Sequence, residues 1–222
     1  MSVINIAIDG PAGAGKSTAA KALAAKLGIV YVDTGAMYRA LALKAVRLGI
    51  EPDDEEKVLP FLPDTEVDIA YQDGFQHIFL DGEDVSTLIR TEKVSQAASM
   101  ISTLPCVRKK LTQLQRKIAK SRSVVMDGRD IGTVVLPDAE YKFFITASPE
   151  ERAKRRYLEY KIKGTLAERS FEDILKEINI RDFRDSHREA APLRAAEDAV
   201  IIDTSNMDID ETVKTVFKYL KG

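Results

Sequence analysis

Short apolar runs alternate with longer helix-forming stretches along most of the chain. Val3 to Ile8 is a β-rich run that stops at Asp9-Gly10, and helix formers follow from Ser17 to Leu27. Ile29 to Val32 is a second strand, ending at Asp33, and Ala36 to Leu48 reads as a helix closed by Gly49. Val124 to Met126, Tyr141 to Ile145 and Val200 to Ile202 supply three more strands. Ser148-Pro149-Glu150-Glu151 has the form of a helix start, with Ser as cap, Pro in the first turn and Glu three residues after the cap. Helical sequence runs from there to Lys163, breaks at Gly164 and resumes from Ser170 to about His187. Asp208 with Glu211 caps a last helix ending near Lys221-Gly222.

The middle of the chain differs. Pro52, Pro60 and Pro63 among acidic residues suggest a linker over 50–64. Thr65 to Tyr71 and Phe75 to Leu80 read as two strands joined at Gln72-Asp73-Gly74, an Asp-Gly hairpin signal, with a further turn at Asp81-Gly82. Helical composition returns from Thr91 to Lys120, interrupted at Pro105. The expected fold class is α/β: a five-stranded parallel sheet flanked by helices, with a small β-rich insert. Three strands end in Asp9-Gly10, Asp33-Thr34-Gly35 and Asp127-Gly128. Parallel sheets bind ligands beyond the C-terminal ends of their strands, so these residues mark either a shared site or simply turns.

A chain of 222 residues with 45% hydrophobic content suits one α/β domain. Its net charge of −2 gives no whole-chain nucleic-acid footprint, so nucleic acid is not an expected partner. The single cysteine, Cys106, excludes an intrachain disulfide and a cysteine-built metal cluster. Neither a signal segment nor an apolar run of about 18 residues stands out, and the expectation is a soluble, cytoplasmic protein without membrane contact.

Gly10-Pro11-Ala12-Gly13-Ala14-Gly15-Lys16-Ser17 fits G-x-x-x-x-G-K-[ST] in full, after a strand and before a helix. Glycines let backbone N–H groups turn around phosphate oxygens, and the helix N-terminus adds its positive dipole end. Lys16 is placed for the β- and γ-phosphates of ATP and Ser17 for Mg²⁺. Asp127, at the end of another strand, is a second magnesium candidate or only a cap on its turn. Asp33 is a weaker candidate near the same ion. The absence of an Asn-Lys pair removes the guanine signature of a GTPase, and Leu-Ser-Gly-Gly is missing too.

Eight of the fifteen arginines fall between 152 and 194. Arg152 and Arg156 share one helix face, and Arg181, Arg184 and Arg188 follow i, i+3, i+7 spacing. Guanidinium favours bidentate phosphate binding, so the cluster suits a lid over a triphosphate; the competing reading is a solvated face paired with Glu150, Glu151, Glu159 and Glu177. Arg39 and Arg129 follow strand ends and suit the phosphate of an acceptor. An anionic acceptor needs no general base, and neither His77 nor His187 is expected to act as one.

The segments Ile8 to Ser17, Asp33-Thr34-Gly35-Ala36-Met37-Tyr38-Arg39, Asp127-Gly128-Arg129-Asp130-Ile131-Gly132-Thr133-Val134-Val135 and Arg181-Asp182-Phe183-Arg184-Asp185 with Arg188 together resemble bacterial cytidylate kinases. The resemblance spans nearly the whole chain, and Asp-Gly-Arg-Asp-Ile-Gly-Thr is its most specific part. It implies a P-loop nucleoside monophosphate kinase fold in one domain over 1–222, with an acceptor-binding insert at 60–100 and a lid at 150–190. It implies transfer from ATP to CMP or dCMP with Mg²⁺ as cofactor, by a monomer. Lys16, Arg129 and Arg181 are the expected catalytic residues, and Thr18, Arg152 and Arg156 are expected to join the phosphate loop in holding ATP. Arg39 and Arg129 match arginines on the CMP phosphate. Ser99, Arg108, Asp130 and Arg188 match cytosine contacts, Arg181 and Asp185 lie at the ribose, and Thr34 belongs to the acceptor set. UMP, AMP or shikimate as acceptor, or a nucleotide-dependent switch, are the alternatives.

Cytosine chemistry agrees with that assignment. A carboxylate accepts from the C4 amino group, while Arg and Ser donate to N3 and O2. Uracil would set a carbonyl against the carboxylate, and unpaired buried polar groups can impose discrimination on the order of 10⁴.

Overall fold

The computed structural model describes residues 3–72 and 75–220. Asp73 and Gly74 of the expected hairpin turn, and Lys221-Gly222 at the expected end of the last helix, lie outside the described residues. The chain forms two compact units, one from 1–30 with 123–222 and the other from 31–122.

The first unit is built on β1 (Asn5–Asp9), followed by α1 (Lys16–Leu27). β2 (Val30–Asp33) starts at the unit's edge, where the Val30 amide donates to the Ser123 carbonyl. The sheet is completed by β6 (Val124–Asp127), β7 (Tyr141–Thr146) and β8 (Val200–Asp203), in the order β2-β6-β1-β7-β8. β1 pairs in parallel with β6 on one side and β7 on the other, and β7 pairs in parallel with β8. The sheet therefore grows outward from β1 in both directions, and such a reversal of strand order opens a crevice at the C-terminal strand ends. Ile6, Ala7 and Ile8 are fully buried, which explains why β1 reads as a continuous apolar run.

Gly10 leaves β1 with φ 142°, and a Cβ there would sit 1.9 Å from the Ile145 carbonyl oxygen. No other residue fits that close approach to β7. α6 (Pro149–Ile162) starts as expected, with Ser148 accepting from the Glu151 amide. α7 (Phe171–His187) has a full capping box between Ser170 and Asp173. The two helices share a small core of Ala153, Ile174 and Ile178. Arg188 lies past the end of α7 in extended backbone, so the expected i, i+3, i+7 row ends at Arg184. α8 (Ile209–Lys218) begins with the expected capping box of Asp208 and Glu211.

In the second unit α2 (Thr34–Arg47) begins two residues before the expected Ala36, because the Asp33 carboxylate caps it by accepting from the Ala36 amide at 2.9 Å. The expected linker over 50–64 is partly ordered instead. Asp54 caps the short α3 (Glu55–Val58), and a 3₁₀ turn follows at Leu59–Phe61. β3 (Val67–Gln72), β4 (Phe75–Leu80) and β5 (Glu83–Asp84) form an antiparallel sheet. The helical stretch is interrupted as expected: α4 (Glu92–Ile101) ends first, and Pro105 opens α5 (Pro105–Ser121) in the first turn. Met37, Leu41, Ile78, Ile89, Ile101 and Leu111 centre this unit's core. Among the described residues no helix is long and apolar enough to cross a membrane.

Candidate active site

Gly15, left-handed at φ 87°, hands the loop over to α1, and no side chain caps that helix. Its first-turn amides are thus offered at the loop, the arrangement that binds anions. Lys16 is only 5% exposed and curls back so that its ammonium donates to the Pro11 carbonyl at 2.6 Å. Burial holds its pKa well below the usual lysine value, and the positive charges of Arg129 and Arg181 push the same way. Like charges crowd this place, and a polyphosphate would relieve them. Ser17 and Thr18 follow on α1 and are exposed.

β6 runs beside β1 with Ile8 opposite Asp127. That register brings the Asp127 carboxylate to the loop, where Ser17 Oγ donates to Asp127 Oδ2 at 2.6 Å. A hydroxyl next to a carboxylate is a hard oxygen pair of the kind Mg²⁺ takes. Among the described residues no group of three or more His, Cys, Asp or Glu could hold a metal by itself. These two oxygens therefore fit an ion completed by water and phosphate.

The segment after β6 and the end of α7 meet in a charged cluster. Arg129 Nε donates to Asp185 Oδ2 at 2.9 Å, and Arg181 Nε lies 4.0 Å from the same oxygen. Burial works against the Asp185 charge, but Arg129 and Arg181 outweigh it and hold the carboxyl below the usual carboxylate range. Burial likewise opposes the Arg129 charge, and Asp185 reverses the effect and raises its pKa. Arg188 Nη2 is 3.6 Å from Asp130 Oδ1, both residues are buried, and Arg188 Nε donates to the Ala191 carbonyl.

Arg152 is placed differently from a surface lid arginine. It is 2% exposed, and its guanidinium donates to the Ala147 carbonyl, to the Ala12 carbonyl and to both oxygens of Asp182. It therefore braces the phosphate loop against α6 and α7. Arg156 donates to the Tyr160 hydroxyl. Other charges of these helices do pair with the acidic residues of a solvated face: Arg155 with Glu151, Arg169 with Glu177 and Lys163 with Glu159. A cleft of about 460 Å³ is lined by Pro11, Thr146, Ser148, Arg152, Leu193 and Asp203 among others.

The second unit gathers its own candidates. Thr34 is buried at the start of α2, and Arg39, one turn on, donates to Asp33 Oδ2 at 2.9 Å. Asp33 thus serves as helix cap and arginine partner. A Cβ on Gly35 would meet Arg39 Nη1 at 3.2 Å, so this glycine gives the guanidinium its seat. Arg108 on α5 is buried, donates to the Ser102 carbonyl at 3.0 Å and lies 5.7 Å from the Tyr38 ring. Ser99 is buried on α4, one turn before Ser102. The two histidines lie elsewhere: His77 meets Asp84, and His187 stacks on Phe183.

Three further contributors have roles that their sequence context does not give. Asp9, 3% exposed, accepts from the Ile131 and Gly132 amides at 2.7 Å each. Burial pushes its pKa up to about 7 against the pull of those two amides. Asp182 is the partner of Arg152, and the buried Thr204 hydroxyl lies 3.1 Å from the Ala14 and Thr146 carbonyls. The only signal for each was its place at a strand end or inside the Arg-Asp-Phe-Arg-Asp run.

A glycine loop between β1 and α1, a buried lysine and a serine–aspartate pair on a five-stranded parallel sheet define a P-loop kinase fold. The shikimate kinase of Bacteroides thetaiotaomicron shares that fold, with a TM-score of 0.52 at 12% identity over all of both chains. The sequence pattern of the cytidylate kinase family matches residues 6–222, and the chain belongs to that family. It is 53% identical to the cytidylate kinase of Caldicellulosiruptor saccharolyticus over 98% of this chain and 96% of that one. It is 47% identical to the cytidylate kinase of Halalkalibacterium halodurans over 100% and 99%.

Proposed function

We propose that this protein transfers the γ-phosphoryl group of ATP to CMP or dCMP, giving ADP with CDP or dCDP. The observation that carries the reading is one unit holding two cationic sets. Lys16 and the α1 amides form one, and Arg129, Arg181 and Arg188 form the other. Two anions must be brought together against their repulsion, and fixed positive charge does that.

Lys16 and the loop amides hold the β- and γ-phosphates, while Arg39 and Arg129 hold the acceptor phosphate. An acceptor phosphate oxygen forms the new bond to the γ-phosphorus as the bond to the β–γ bridging oxygen breaks. The nucleophile is already anionic, so no side chain has to remove a proton. Arg181 neutralises charge on the group in flight. Arg129 now spends its positive charge on Asp185, and the acceptor phosphate offers it a second anion. Ser17 and Asp127 would hold Mg²⁺, whose chemistry is to neutralise and orient the triphosphate. Asp130 and Arg188, with Ser99 and Arg108, read cytosine, and Asp185 meets the ribose. Residues 60–100 serve as acceptor insert and 150–190 as lid, in a cytoplasmic monomer of pyrimidine nucleotide metabolism.

ADP release measured with CMP, dCMP, UMP, AMP and shikimate in turn tests the proposal. Turnover should be highest with CMP and dCMP, and ATP hydrolysis without acceptor should be far slower. Equal turnover of UMP under matched conditions would sink it.

A further inference from the structure

Asp130 precedes a single π-helical turn, Ile131–Val135, and its own side chain makes no capping bond to that turn. An aspartate in this position ordinarily accepts from the amides that follow it. Here one of the amides such a cap takes, that of Gly132 two residues on, is already held by Asp9 Oδ2, and Asp9 Oδ1 accepts from Ile131 beside it, both at 2.7 Å and across more than 120 residues of sequence. The Asp130 carboxylate faces Arg188 instead. Asp9 is also the last residue of β1, directly before Gly10 of the phosphate loop.

We infer that Asp9 is a positioning residue for the acceptor: by capping the turn in place of Asp130, it keeps the Asp130 carboxylate aimed at the base and fixes Arg129 beside it. The inference rests on the reading of CMP as acceptor. Two separate amides require two acceptor oxygens. An asparagine supplies one, and its amide nitrogen would set a donor against a donor. The turn would then loosen, and Asp130 would compete for the released amide.

The test compares the full-length protein with Asp9→Asn. The variant should raise the KM for CMP about ten-fold and lower the CMP-over-UMP ratio of kcat/KM about ten-fold, with the KM for ATP changed less than about two-fold. Amide hydrogen exchange at Ile131 and Gly132 should quicken in the ligand-free variant. Should Asp9→Asn fail to fold, Gly132→Ala replaces it, because the added methyl would lie 3.4 Å from Asp9 Oδ2 and 3.3 Å from Lys142 Cδ. The same split is expected there, at about three-fold. Equal rises in both KM values, or an unchanged CMP-over-UMP ratio with unchanged exchange at 131–132, would overturn the inference. If the wild-type protein turns over no CMP, the acceptor reading fails by itself. Exchange at the two amides then still decides whether Asp9 holds the turn.

Discussion

Ser17 Oγ and Asp127 Oδ2 are 2.6 Å apart, joined by the parallel register of β1 and β6. The sheet register thus carries Asp127 to the last residue of the loop motif. Asp127→Asn keeps the shape and removes the charge. It should lower kcat by roughly 10²-fold and raise the magnesium concentration needed for half-maximal rate. Steady-state rates across a magnesium titration check this; a rate and midpoint equal to wild type would count against a metal role for the pair.

Lys16 is buried beside two arginines, an arrangement that serves anion binding at the expense of stability. Lys16→Met should abolish phosphoryl transfer, by roughly 10³-fold or more, and leave the melting temperature equal or higher. A pH signature follows as well. The folded lysine has the lower pKa, so between that value and 10.5 the unfolded chain binds the extra proton. Stability contributed by this group therefore rises with pH across that window, and Lys16→Met should remove the slope. Urea denaturation at several pH values decides it.

Arg152 and Asp182 form a bidentate pair whose arginine is almost wholly enclosed. Arg152→Met should cost about 2–4 kcal/mol, less than the largest buried-pair losses because Asp182 keeps 26% of its side chain exposed. Asp182→Asn should cost less, and the double variant should recover part of the loss. Additive losses in a double-mutant cycle would show that the two side chains do not act as one brace.

On the second unit, Asp84 accepts from the Ser86 hydroxyl and amide and meets His77, which brings its pKa down to about 2. A carboxylate depressed in the folded state stabilises above its unfolded pKa of about 3.8, and that contribution fades as pH falls towards 2. Carboxyl chemical shifts should titrate near 2 in the wild type, and Ser86→Ala should move the midpoint upward.

The phosphate loop was legible because its function is written in consecutive residues. The strand ends at Asp9 and Asp127 were legible as positions, since a parallel sheet gathers its C-terminal ends. Their uses were not. Nothing local says that Asp9 turns to two amides more than 120 residues away, or that Arg152 turns inward, because both depend on which strands become neighbours. Pro105 was legible as an interruption of the helical stretch, but not as the first residue of the helix that follows it. A proline breaks a helix in its middle and favours one at its start, and only packing decides which helix it belongs to.

The first unit is interrupted in sequence: 1–30 wait for 123–222. During synthesis β1 leaves the ribosome with Ile6, Ala7 and Ile8 bare, and neither β6 nor β7 exists yet. At ~5–20 residues per second, its first partner strand follows only after roughly 6 to 25 s. The intervening stretch 31–122 is continuous and carries its own core, so it can settle during that interval. Nascent chains halted once residue 122 has cleared the ribosome but before β6 has should therefore protect that stretch from protease while the amino-terminal strand stays open to cleavage.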